Sequence, residues 1–74
     1  MNITVKLFAS FRTGRFDIEV RDYPAETTVA NVVDSINLPQ SELGIMMVNS
    51  RHVKLERVLV DGDTLALFPL LGGG

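Results

Sequence analysis

Cysteine is absent from the sequence, so a disulfide framework, a thiolate metal site and a cysteine nucleophile are all excluded. Any sulfur or acyl chemistry must use another group. Histidine occurs once, at His52, with no nucleophile or acid beside it to complete a catalytic set, and it reads as a surface-turn or edge-strand residue. No Ser/His/Asp, Cys/His or metal constellation is present, so the chain reads as a non-catalytic protein with no metal and no permanently bound cofactor. Basic runs are lacking too. Lys6, Arg12, Arg15, Arg21, Arg51, Lys54 and Arg57 are dispersed among acidic residues and the net charge is −2, a poor match to nucleic acid. No apolar stretch is long enough to span a bilayer, and the opening Met-Asn-Ile-Thr-Val-Lys lacks the apolar run of a signal peptide. The expectation is a cytoplasmic protein with no membrane partner.

Hydrophobic residues make up 46% of the 74 positions and charged residues 22%, a globular composition. A chain of this length forms one small domain that buries about 60% of its unfolded surface, with little room for a large internal pocket.

Ile3, Val5 and Leu7 alternate with Asn2, Thr4 and Lys6, the period-two pattern of a half-buried strand. The alternation resumes after the turn residue Gly14 with Phe16, Ile18 and Val20 against Asp17, Glu19 and Arg21, giving a hairpin. Each strand is expected to turn its apolar side to a common core. Pro24 breaks the second strand. Thr27 or Thr28 then caps a helix whose Val29, Val32, Val33 and Ile36 form one stripe, with Asn31, Asp34 and Ser35 opposite; Asn37-Leu-Pro39 ends it. Three valines oppose intrinsic helix preference, so packing on a sheet must hold the element. Ile45-Met-Met-Val48, after Gly44, reads as a central strand, and a further strand-like piece runs through His52-Val-Lys-Leu. Asp61-Gly62-Asp63 is a tight turn rather than a metal site, and Thr64 to Phe68 is the last strand, apolar on both faces. The order gives an α+β fold: a β-grasp with a mixed sheet of four to five strands and one helix across it, the last strand parallel to the first at the sheet's centre.

The chain ends Leu70-Leu71-Gly72-Gly73-Gly74. Terminal glycines can neither cap nor turn anything, and they give a thin tail with an unhindered carboxylate. The expected division is a domain over 1–69 and a flexible tail over 70–74. If order stops near Phe68, Pro69 to Gly74 could reach roughly 20 Å, enough to enter another protein's active site. By alternation Phe8, Phe68 and Leu70 fall on the face away from the helix. Two readings stand for them: a partner-binding patch, or cover by a loop or a register one residue off.

Val5-Lys-Leu-Phe-Ala9 through Arg12, Met47-Val-Asn-Ser-Arg51, and Asp61-Gly-Asp-Thr-Leu-Ala-Leu-Phe-Pro69 followed by glycines resemble the ubiquitin-like sulfur-carrier family (MoaD/ThiS), most of all the small subunits of molybdopterin synthase. The family ends in two glycines; this chain has three. The resemblance implies an E1-like adenylating enzyme (MoeB/ThiF type) that uses ATP to form an acyl-adenylate at Gly74, and a sulfur donor that converts it to a thiocarboxylate. It further implies that Gly72 and Gly73 thread the tail through a narrow channel. The final partner would be a large molybdopterin synthase subunit (MoaE type) holding the catalytic residues. Thiamine-type or other sulfur carriage, ubiquitin-like protein modification and non-covalent binding are the alternative functions.

Overall fold

The computed structural model describes residues 1–71. Gly72, Gly73 and Gly74, to which threading and covalent activation are assigned above, lie outside the described residues. Five strands form one mixed sheet: β1 (Asn2–Leu7), β2 (Ile18–Asp22), β3 (Leu43–Val48), β4 (Arg51–His52) and β5 (Thr64–Pro69), in the order β2-β1-β5-β3-β4. β5 lies at the centre, parallel to β1 and antiparallel to β3, as its apolar character on both faces requires. A single helix, α1 (Val29–Ser35), covers one face. Among the described residues no helix is long and apolar enough to cross a membrane.

Of the two threonines that could cap the helix, Thr28 does so. Thr28 Oγ1 accepts from the Asn31 backbone N–H at 3.2 Å and the Asn31 side chain accepts from the Thr28 N–H at 3.0 Å, a reciprocal cap. The two N–H groups ahead of Asn31 are met from outside the helix: Val29 donates to Arg57 O and Ala30 to Leu55 O, both at 3.0 Å. The β4–β5 connection is thus tied to the helix start, and it buries Leu59. At the other end Asn37 takes φ 58°, its N–H donates to Asp34 O, and the Leu38 N–H donates to Val33 O. That pair of bonds is a Schellman closure, with the buried Leu38 as its apolar contact.

Val29, Val32, Val33 and Ile36 are all buried against Ile3, Val5 and Leu7 of β1, Leu65 and Leu67 of β5, and Val48 of β3. Phe11, in a 3-10 turn over Ala9–Arg12, closes one end of this core. Two expectations need correction. Ile18 and Val20 do not face the core: the antiparallel register sets Ile18 opposite Lys6 and Val20 opposite Thr4, while Glu19 and Arg21 lie opposite Val5 and Ile3 on the helix side. Residues paired across a ladder share a face, so the apolar side of β2 is the uncovered one. The piece expected from His52 onward is shorter and begins earlier, at Arg51, after a two-residue hairpin loop in which Asn49 and Ser50 both have positive φ.

Candidate functional site

The site is the end of β5 and the sheet face around it. β5 continues past Phe68 to Pro69, and the Leu70 N–H still donates to Glu42 O at 2.9 Å, so the fold reaches further along the chain than a break at Phe68 would give. Gly44 makes this possible. The β3 register shifts between Leu43 and Ile45, and a Cβ on Gly44 would stand 2.6 Å from Pro69 O, so only glycine lets the two backbones meet there. From Leu71 onward at most about 14 Å of extended chain remains to Gly74.

Beside this root, Phe8 and Phe68 stack with centroids 4.2 Å apart and rings inclined by 16°. Phe8 leaves β1 just before Ala9, whose φ of 51° turns the chain into the 3-10 turn and brings Arg12 back. Arg12 Nε donates to Leu7 O at 2.8 Å, its guanidinium sits 5.4 Å from the Phe8 ring centre, and Asp17 lies 3.7 Å away. Arg12 therefore packs its guanidinium on the Phe8 ring as well as carrying a surface charge. Both phenylalanines are half-buried, and β5 alternates with Leu65 and Leu67 in the core and Ala66 and Phe68 on the other face. The register expected from the sequence holds. Phe68 pairs with Ile45, itself exposed, and Leu70 and Leu71 are 59% and 82% exposed.

The uncovered face is wider than Phe8, Phe68 and Leu70. Ile18 and Val20 are each 62% exposed on it, and Ile45 and Met47 extend it on the far side of β5. Sequence reasoning missed these residues because alternation shows which side chains share a face and not which face is covered; the signal available was the excess of apolar sides over one helix's capacity to cover them. The Asp61-Gly62-Asp63 turn is structural. Asp61 Oδ1 accepts from the Asn2 N–H, and the buried Asp63 carboxylate accepts from Asn49 Nδ2 and the Val60 N–H, both at 2.9 Å. Among the described residues there is no cluster of potential metal ligands, and no cavity is found. His52 stands exposed on the edge strand β4. What the arrangement can do is present the chain's end from a rigid central strand, beside an aromatic stack on an uncovered apolar face.

A mixed five-stranded sheet with a central parallel pair and one helix across it defines the ubiquitin-like β-grasp. Residues 5–74 match the ThiS family, and the chain belongs to that family of small ubiquitin-like sulfur-carrier and modifier proteins. No curated protein matches the sequence significantly. Among solved structures it is similar to a putative molybdopterin converting factor, subunit 1, from Pyrococcus furiosus, at 28% identity and TM-score 0.77, covering 96% of this chain and 99% of that one. The H. volcanii small archaeal modifier protein 1 shares 22% identity at TM-score 0.74, over 95% of this chain and 98% of that one. One chain of the protein–protein complex of subunits 1 and 2 of the molybdopterin-converting factor from Helicobacter pylori 26695 matches at 17% identity and TM-score 0.68, covering 100% of this chain and 100% of that one. The last two likenesses concern the fold alone.

Proposed function

We propose that this chain is a sulfur carrier activated at Gly74, and that it acts as the small subunit of a molybdopterin synthase. The observation that carries the reading is the root of the tail: a central strand whose end is held by the Leu70 N–H donating to Glu42 O, beside the stacked Phe8 and Phe68 on an uncovered apolar face. The Pyrococcus likeness supports the choice of molybdopterin synthase over other sulfur carriers. A free carboxylate is a poor acyl electrophile because its leaving group would be an oxide. An E1-like adenylating enzyme joins it to AMP from ATP with loss of pyrophosphate, and sulfide released by a sulfur donor then attacks the acyl carbon, forming the C–S bond of the thiocarboxylate and expelling AMP. Glycine presents no side chain to that attack, and with no cysteine in the chain the sulfur resides on the terminal acyl carbon.

In this reading Phe8, Phe68 and Leu70 contact the adenylating enzyme and then the large synthase subunit, whose residues perform the transfer, and Gly72 and Gly73 pass through its channel. Incubation with ATP, a sulfur donor and the matching adenylating enzyme, followed by intact mass spectrometry, tests it. Covalent gains of about 329 Da for AMP and about 16 Da for sulfur are expected. Absence of both sinks the carrier reading. The same activated carboxylate admits one further reading, attachment to lysines through Gly74. Isopeptide adducts in cell extract in place of a thiocarboxylate would select it.

A further inference from the structure

We propose that the free edge of β2 docks a second copy of this chain, paired antiparallel about a two-fold axis at Val20. β2 is the outer strand of the sheet, bonded only to β1. The parity of its backbone groups is fixed by the bonds at its ends: Leu7 N–H donates to Asp17 O and Tyr23 N–H donates to Met1 O. Residues 17, 19, 21 and 23 therefore turn their backbone groups to β1. Ile18, Val20 and Asp22 turn theirs outward, a ready template for another strand.

The segment Ile18-Glu-Val-Arg-Asp22 is complementary to itself in one register. With Val20 opposite Val20 of the second copy, Ile18 meets Asp22 and Glu19 meets Arg21, and every outward backbone donor finds an outward acceptor. On the helix side this gives opposite charges across the junction twice. On the uncovered side it sets Val20 against Val20, with each exposed Ile18 diagonal to the other copy's Val20 and opposite its Asp22. Shifting the axis to residue 19 sets Glu19 against Glu19, and shifting it to residue 21 sets Arg21 against Arg21. Charges that normally guard an edge here select one partner and one alignment. Within a single copy Arg21 and Glu19 already touch at 3.2 Å, so both side chains lie where the exchange needs them. The two β5 ends point in opposite directions, which leaves both tails accessible.

Sedimentation velocity over a concentration series up to the millimolar range tests the proposal, with expected growth from 8.1 kDa to twice that mass. Amide hydrogen exchange at high concentration should slow at Ile18, Val20 and Asp22 and stay unchanged at Glu19 and Arg21. Arg21→Glu alone and Glu19→Arg alone should each weaken self-association about tenfold, because like charges then face each other. An equimolar mixture of these two variants restores opposite charges at both positions and should associate as tightly as the unmodified chain; this arm separates pairing from any loss of stability in one variant. A chain that stays monomeric throughout overturns the proposal. So does a dimer whose protected amides lie outside β2, or one indifferent to the charge changes.

Discussion

Single residues in this fold hold geometry that a neighbouring residue type would spoil. Gly44 is the clearest: Gly44→Ala drives a Cβ into the backbone of Pro69, and the loss expected is about 1–3 kcal/mol in urea unfolding, with faster exchange of the Leu70 amide. Asn49 and Ser50 work in the opposite sense. Both sit at positive φ in a two-residue hairpin loop, 51° and 68°. Asn49 is bound into the fold, its Oδ1 accepting from the Thr64 N–H and its Nδ2 donating to Asp63. Ser50 makes no such bond among the described residues, so Ser50→Gly removes a left-handed strain without a loss and should raise stability by a few tenths to about 1 kcal/mol. A melting-temperature comparison reads the sign. Gly44 stood in the sequence only as a residue before a strand. Its constraint comes from a strand many positions later, and no local pattern encodes such an approach.

Elements were legible to the extent that their signals are local. The α1 stripe, its Thr28 start and its Asn37 end all rest on residues within a few positions of each other, and the structure keeps each of them. Thr28→Ala removes the acceptor for the Asn31 N–H and should cost about 1 kcal/mol, measured by denaturant midpoint at unchanged m-value. β5 was placed at the centre of the sheet because its two faces are both apolar, which only a doubly covered or partner-facing strand tolerates. β2 was read with the right alternation and the wrong side, since the choice of side is made by the β1 register and by a helix that covers only one face. The reach of β5 to Pro69 depended on the Gly44 contact and was equally invisible. Alternation along the strands puts Phe8 and Phe68 on one face, and their stacking follows only from the β1–β5 pairing. The place of Arg12 over Phe8 depends on the positive φ at Ala9, which no local pattern signals.

At the scale of the molecule, the proposed chemistry at Gly74 belongs to a small sheet with one covered face and one uncovered apolar face. Gly73→Ala should abolish adenylation in the mass assay while far-UV circular dichroism and melting temperature stay as they are; full activation of that variant would remove the threading role. The strand that carries the tail has neighbours on both sides, β1 running with it and β3 against it. A pull applied to the tail by a partner acts along β5, parallel to the strand and across the ladder bonds of both neighbours together. Such a load is borne in shear by every bond at once, whereas an outer strand such as β2 can be peeled one pair at a time. The domain is thus built as an anchor. Tension along its last strand is shared by two ladders, where the outer strand β2 has one.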